Sequence, residues 1–426
     1  MDAGQEQLER AYRDEATRIR AALAARTGDV GLAEDAVQDA FIEAIEHWPA
    51  GGVPANPGGW LATTARRKAL DRLRRDRVGG DKFALLAATE AWACPDIGTY
   101  PGTYGTGADA EEAKDGGGAD RRADDELLSL AFACCHPALT TEAQVALTLR
   151  AVCGLTTGQI AAAFLVSEPT MAQRLLRARK TLSALKAPVT IPDPDDLADR
   201  LAQVLSVVYL VFNEGYLASS GREPARRDLA AQAIALTRTL HRLMPREPEV
   251  LGLLALLLLH ESRAKARFDG WGRLIRLKDQ DRAKWDKHLA DEAAGYLDRA
   301  ISMHRAGPYQ VQAAIAALHA EAASYAETDW RQIHLLYCRL QQLAPSPVVL
   351  LNRAVATRYA ISAEQALVEI EPLSVDLDGY HLFHALRAAL LAVLGRGEEA
   401  DEVRERALAL AANPAERDLL AHGLSF

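Results

Sequence analysis

The stretch Thr156-Thr157-Gly158-Gln159-Ile160-Ala161-Ala162-Ala163-Phe164-Leu165-Val166-Ser167-Glu168-Pro169-Thr170-Met171-Ala172-Gln173-Arg174-Leu175-Leu176-Arg177-Ala178-Arg179-Lys180 reads as two short helices joined by a tight turn, the second of them basic. Thr156 and Gln159 have the spacing of a capping box, in which the hydroxyl accepts an orphan amide of the first turn and the side-chain amide reaches back to the cap. Ile160, Ala161 and Phe164 then fall on one face, and Leu165-Val166 break the pattern. Ser167 is placed to cap the second helix, whose early Pro169 needs no intrahelical donor. Met171, Leu175, Ala178 and Leu182 recur at helical spacing and should face a core. That leaves Thr170, Gln173, Arg174 and Arg177 outward, residue types that read base edges and phosphates from a helix in the major groove. A solvated amphipathic pair is the plainer alternative, but cap, turn and basic face all agree on a helix-turn-helix.

Outward from this stretch, composition sets the class. The chain has 426 residues, 49% of them hydrophobic, with few aromatics. Alternating β-branched runs are nearly absent, so the expectation is an all-α protein of several domains. The net charge of −9 argues against a uniformly basic nucleic-acid binder. Positive charge is instead concentrated locally, in Arg66, Arg67, Lys68, Arg72, Arg74, Arg75 and Arg77 and again in Arg174, Arg177, Arg179, Lys180 and Lys186, which suggests two separate phosphate contacts. Five cysteines without an N-terminal apolar signal segment imply reduced thiols and a cytoplasmic location. The apolar run from Leu251 to Leu259 is too short to cross a bilayer, which takes about 20 residues, and reads as a buried helix. No membrane contact is expected.

Upstream, the segment Ala33 to Phe41 puts Asp35, Gln38 and Asp39 on one polar face. The loop Trp48 to Gly59 holds three prolines and four glycines that no helix crosses, and Trp60 to Arg75 follows as an amphipathic basic helix. The segment Ala33-Glu34-Asp35-Ala36-Val37-Gln38-Asp39-Ala40-Phe41, then Trp60-Leu61 through Arg66-Arg67 to Asp71, then the helix-turn-helix, resemble in order and spacing the RNA polymerase sigma factors of the extracytoplasmic-function type. Asp39 and Arg67 replace the glutamate and asparagine usual there, and Leu165 stands where many of these factors have a turn glycine, so the turn geometry is expected to differ.

Residues 78–125, with Asp115-Gly116-Gly117-Gly118, read as a long interdomain linker. Cys134-Cys135-His136 are adjacent and point in different directions on a helix, with no complementary ligands, so no metal is expected. From 188 to 426, helical segments alternate with proline-marked turns, and the unit Leu386 to Leu420 has a tetratricopeptide-like arrangement. The Asp-Gly-Gly-Gly, Cys-Cys-His, Asn213-Glu214-Gly215-Tyr216, Asp279-Gln280-Asp281-Arg282 and Gly307-Pro308-Tyr309-Gln310 segments resemble a sigma-factor subgroup with a large helical extension.

The resemblance implies four parts: 1–77 for core binding and promoter melting, 78–125 as linker, 126–187 as the helix-turn-helix, and 188–426 as a tetratricopeptide-like regulatory domain. It also implies that Glu34, Asp35, Gln38 and Asp39 dock on a coiled coil of the core polymerase. The loop and basic helix would open DNA, with Asn56 in a base pocket and Arg66, Arg67, Arg72 and Arg75 on phosphates. Thr170, Gln173, Arg174 and Arg177 would read the upstream promoter element. The partners implied are polymerase core, promoter DNA and a small-molecule or protein regulator at the extension. Asn213, Glu214, Tyr216, Asp281, Arg282 and Gln310 are the candidate regulatory contacts, weighed against ordinary helix caps and internal hydrogen bonds. No nucleotide-binding glycine loop, zinc-protease helix or nucleophile elbow is present, so neither catalysis nor a cofactor is expected. The alternative from another class is a stand-alone, ligand-sensing helix-turn-helix regulator.

Overall fold

Asp29 accepts from the Leu32 amide at 3.0 Å and so starts α2 (Val30–Gly51) directly after α1 (Ala3–Thr27), with Gly28 at φ +63° turning the chain between them. After the Pro/Gly loop, α3 (Pro57–Arg75) folds back against both. The faces that meet are largely alanine: Ala33, Ala36, Ala40 and Ala44 of α2 and Ala65 and Ala69 of α3 are buried, so the helices approach closely. Ile19, Leu23, Val37, Phe41 and Leu61 fill the space around them. The computed structural model describes residues 3–75, 116–164, 166–216, 225, 227–411 and 413–421. Among these the structure is all-α, and the one strand-like pairing is an isolated antiparallel bridge between Phe268 and Leu274.

The chain resumes with α4 (Gly116–Cys134), α5 (Thr141–Ala151), α6 (Thr157–Ala163) and α7 (Glu168–Ala184). The start of α4 corrects the linker expected over 78–125, because Gly116-Gly117-Gly118 open a helix and residues up to 125 continue it. Each glycine disfavours a helix by roughly 1 kcal/mol relative to alanine. The cost is offset further along α4, where Leu128, Leu130, Ala131 and Phe132 are buried and the helix packs on α1. Residues 76–115 lie outside the described residues. Helices α4, α5 and α7 pack in series, and α7 also packs on α2.

The chain divides into two compact units, 1–208 and 209–426, and the division falls inside α8 (Pro194–Tyr216) rather than at 188. The second unit continues with α9 (Arg227–Leu243), α10 (Pro248–Ser262), α11 (Lys287–Ser302), α12 (Pro308–Glu321), α13 (Trp330–Leu343), α14 (Pro347–Ala360), α15 (Ala363–Ile370), α16 (Ser374–Leu377), α17 (His381–Val393), α18 (Gly397–Leu410) and α19 (Pro414–Ala421). Sequential helices pack as neighbours, α13 on α14, α14 on α15 and α17 on α18. The apolar run 251–259 is the middle of α10, buried on every side against α9, α11 and α12. No described helix is long and apolar enough to cross a membrane.

Two glycines permit the closest approach in this unit. A Cβ on Gly252 would lie 2.7 Å from the backbone nitrogen of Gln310, and one on Gly307 would lie 2.2 Å from Cδ of Glu249. Through that gap Glu249 accepts from the amides of Tyr309 (2.9 Å) and Gln310 (3.2 Å) and from Nε2 of Gln310 (3.0 Å), so one carboxylate caps the positive end of α12 from α10.

Two stability effects follow. Gly252→Ala has to displace backbone, and thermal melting should show a loss of about 1–3 kcal/mol. Burial, reinforced by Arg263 and Arg282, pushes His319 down from 6.5 to about 4, so the folded chain holds it neutral while the unfolded chain protonates it. Its contribution is intact above pH 6.5 and is lost as pH falls from 6.5 towards 4, and His319→Gln should flatten the fall in melting temperature over that window.

Candidate nucleic-acid interface

The helix-turn-helix forms as its residues dictate. The Gln159 amide donates to Oγ1 of Thr156 at 3.1 Å, and the Thr156 amide donates to Oε1 of Gln159 at 2.8 Å, closing the capping box reciprocally. Ser167 caps α7, accepting from the Thr170 amide at 3.4 Å. Met171, Leu175, Ala178 and Leu182 are buried, so Thr170, Gln173, Arg174 and Arg177 all point to solvent from one helix. Leu165, where the altered turn was expected, lies outside the described residues. The exposed face thus carries an amide suited to adenine and two guanidinium groups suited to guanine or phosphate.

The polar face of α2 is built differently from its sequence pattern. Asp35 accepts from Nη1 of Arg72 at 2.6 Å and from Nη1 of Arg179 at 3.2 Å, and Asp39 accepts from Nη2 of Arg72 at 2.7 Å. Burial works against the charge on Arg72, and Asp39 and Asp35 more than compensate, raising its pKa. One turn further, Glu43 pairs with Lys68 at 2.6 Å and with Arg67. Lys68, outweighing slight burial and aided by Arg67, holds Glu43 below the usual carboxylate range. Glu43 was not singled out from sequence, although its i+4 and i+8 spacing from Asp39 and Asp35 was the available signal.

Glu34 departs from expectation. It is 2% exposed, paired with Nε of Arg20 at 2.6 Å and with Nε of Arg150 at 2.8 Å, and it also accepts from Nε2 of Gln38. Arg20, itself 1% exposed, donates on to the Ala151 carbonyl. Glu34 therefore ties α1 and α2 to α5 and is not part of the outward face. The reason is geometric: it sits one position before Asp35 and so points about a quarter-turn away, towards the helices of the other module.

Asn56 has a structural role as well: its Oδ1 accepts from the Gly59 amide at 2.8 Å and caps the first turn of α3, while the residue itself is exposed. On α3, Arg66 is half-buried, Arg67 is exposed and paired with Glu43, Arg72 is committed to Asp35 and Asp39, and the Arg75 side chain lies outside the described residues. Trp60 is half-buried against Trp48, with ring centroids 5.6 Å apart in an edge arrangement.

In the second unit, the structure gives most of the candidate contacts internal partners. Asn213 hydrogen-bonds Tyr209, Tyr216 Oη accepts from Arg263 at 2.8 Å, and Asp281 caps a short helical turn by accepting from the Ala283 amide. Arg282 donates to the His319 and Ala322 carbonyls at the end of α12, and Gln310 bonds Glu249. Glu214 is half-buried. Cys134 and Cys135 are buried in α4 and its end, and burial pushes the Cys135 thiol up to about 11. Among the described residues no three His, Cys, Asp or Glu side chains converge on a metal position.

The chain matches three family models: Sigma-70 region 2 over residues 11–78, Sigma-70 region 4 over 129–182, and a family of unknown function (DUF6596) over 200–301. An uncharacterized protein of Rhizobium meliloti (strain 1021) is 46% identical over 388 residues, covering 91% of this chain and 88% of its own. No solved structure matches.

The two carboxylates of α2 should respond unequally to truncation. Glu34→Ala strands Arg20 in the interior and should lower the opening free energy of α2 by about 3–5 kcal/mol. Asp35→Ala, at a side chain 41% exposed, should change it by less than about 1 kcal/mol. Native-state hydrogen exchange of the α2 amides measures both.

Proposed function

Since the chain belongs to one family with the Rhizobium meliloti protein and carries regions 2 and 4 of sigma-70, the domains of an RNA polymerase sigma factor acting in transcription initiation, we propose that it is an alternative sigma factor of the extracytoplasmic-function type. The observation that carries this reading is the capped α6–α7 pair, which presents Thr170, Gln173, Arg174 and Arg177 to solvent in the same compact unit as the acidic row of α2. In this reading α7 reads the upstream promoter element. The row Asp35, Asp39 and Glu43, with Gln38, meets a basic helix of the polymerase core, where electrostatics set register and on-rate. The turn 52–56 between α2 and α3 and the arginines of α3 serve promoter melting, in which a basic surface offsets the loss of stacking.

Arg72 and Arg179 occupy the carboxylates that the core would use. These pairs are partly exposed and each contributes only about 0–1 kcal/mol, so a basic partner helix can replace them. The second unit, a tetratricopeptide-like array of helix pairs, regulates that exchange. A stand-alone, ligand-sensing regulator is the second reading; the freely exposed α7 face favours it, since duplex binding would then need no core polymerase.

Run-off transcription with purified core polymerase, on promoter fragments selected from a random library, separates the two. New transcripts that depend on the protein support the sigma reading, whereas tight duplex binding by the chain alone with no transcripts supports the regulator. Within the first outcome, Gln173→Ala and Arg174→Ala should each relax selection at one upstream base pair by about 1–3 kcal/mol. Asp35→Asn with Asp39→Asn should weaken core binding chiefly through a slower, less salt-dependent association.

A further inference from the structure

The second unit holds a group of cations for which the sigma reading has no use. The segment Arg263 to Lys287 carries nine Lys and Arg against four Asp and Glu, in a chain of net charge −9. Three of its arginines turn towards one another. Arg267 is 8% exposed, lies with its guanidinium 3.4 Å from the centre of the Tyr216 ring and donates to the Tyr216 carbonyl. Arg263 donates to Tyr216 Oη at 2.8 Å, sits 3.1 Å from Nδ1 of His260 and lies 5.7 Å from the centre of the Trp285 ring. Arg282 lies over the same indole at 4.6 Å. Its Nη1 donates to the carbonyls of His319 and, at 2.8 Å, Ala322.

These contacts leave charge and donors unmatched. The carbonyl ends of α8 and α12 offer only partial negative charge, about half an electron each. Among the described residues none of the three arginines has an ion pair within 4.0 Å. The carboxylates within electrostatic range lie against other groups, Glu261 against Arg227 at 3.0 Å, Glu327 against Ser324 at 2.8 Å and Glu416 against Nε2 of His381 at 3.3 Å. His260 and His319 are kept neutral by burial and by the arginines themselves, so they add no further positive charge. Two donors at the centre have no acceptor: Nη2 of Arg282 and Nε1 of Trp285, a residue 8% exposed. A buried donor in a native structure needs a partner, and guanidinium groups turned towards one another are the usual means of grasping an oxyanion. Arg263 and Arg282 are only half-buried, which leaves the group open to solvent on their side.

We propose that Arg263, Arg267, Arg282 and Trp285 form the binding site of a small molecule carrying a phosphate or carboxylate group. The oxyanion takes hydrogen bonds from Arg282 Nη2 and Trp285 Nε1 and neutralises the three guanidinium charges, fixing the loop 263–285 against the ends of α8 and α12. The site gives the regulatory reading of the second unit a ligand class, and it rests on that reading only for its consequence in transcription.

Isothermal titration of the full chain with inorganic phosphate, pyrophosphate and citrate tests it directly. At least one of the three should bind saturably, pyrophosphate or phosphate marking a phosphate ligand and citrate a carboxylate one. Trp285→Phe, which keeps an aromatic ring but removes the pyrrole half of the indole with its N–H, and Arg263→Gln should each weaken that binding by about tenfold or more. Arg305→Gln, outside the group, should leave it unchanged. Arg282→Gln also removes a cap from α12, so Trp285→Phe carries the test if that variant does not fold. No saturable binding by any of the three at millimolar concentration, or binding indifferent to Trp285→Phe and Arg263→Gln, would overturn the proposal. Binding that meets these criteria but leaves run-off transcription unaltered would keep the site and overturn the regulatory reading.

Discussion

The Arg20–Glu34–Arg150 group is the interaction on which the first unit depends. Glu34 leaves α2 on the side facing α5, where two guanidinium groups and essentially no water meet it. Such a triad adds little net stability compared with apolar packing, but once built it is costly to break from either side. Its effect is specificity: α1 and α2 can dock on α5 only in the register that pairs all three charges. With that register set, α7 comes alongside α2, Arg179 reaches Asp35 and Ser183 reaches Asp29 at 3.2 Å. The region 2 and region 4 modules are thus held as one compact unit by the apolar packing of α4 on α1, by the interior triad and by a weak exterior contact.

That difference in strength bears on function. Contacts at the rim, with Asp35, Asp39 and Glu43, are partly hydrated and exchange readily for a partner's cations. The interior contact at Glu34 does not exchange without separating the modules. The outward side of α7 is exposed with the modules packed, whereas the acidic row of α2 is occupied. Availability for DNA and availability for a basic protein partner are therefore set by different contacts.

Much of this was legible from local pattern. The Thr156–Gln159 box, the Ser167 cap and the Met171–Leu182 stripe depend on residues within a few positions of one another, and each formed as read. What escaped the sequence depends on partners far along the chain. Nothing local distinguishes Glu34 from Asp35, since burial of the former needs Arg150, more than a hundred residues away. The capping role of Asn56 shows only where the chain turns into α3 and Gly59 approaches it. Gly116-Gly117-Gly118 look like a linker because glycine disfavours a helix, a preference overridden by the packing of α4 on α1. In the second unit, Arg263, Arg267 and Arg282 look like surface charges in sequence, and only the fold turns them onto Tyr216 and Trp285.

The hold of Glu34 on the two modules, through Arg20 and Arg150, is open to a distance measurement. Spin labels at the exposed positions Ile42 of α2 and Leu176 of α7, with Cys94, Cys153 and Cys338 replaced by serine, report the separation of the modules by pulsed electron resonance. A single short distance in the wild-type chain, lengthened or broadened by Glu34→Ala, is the predicted result. A broad, long distribution in the wild-type chain, or a short one that Glu34→Ala leaves unchanged, would contradict it.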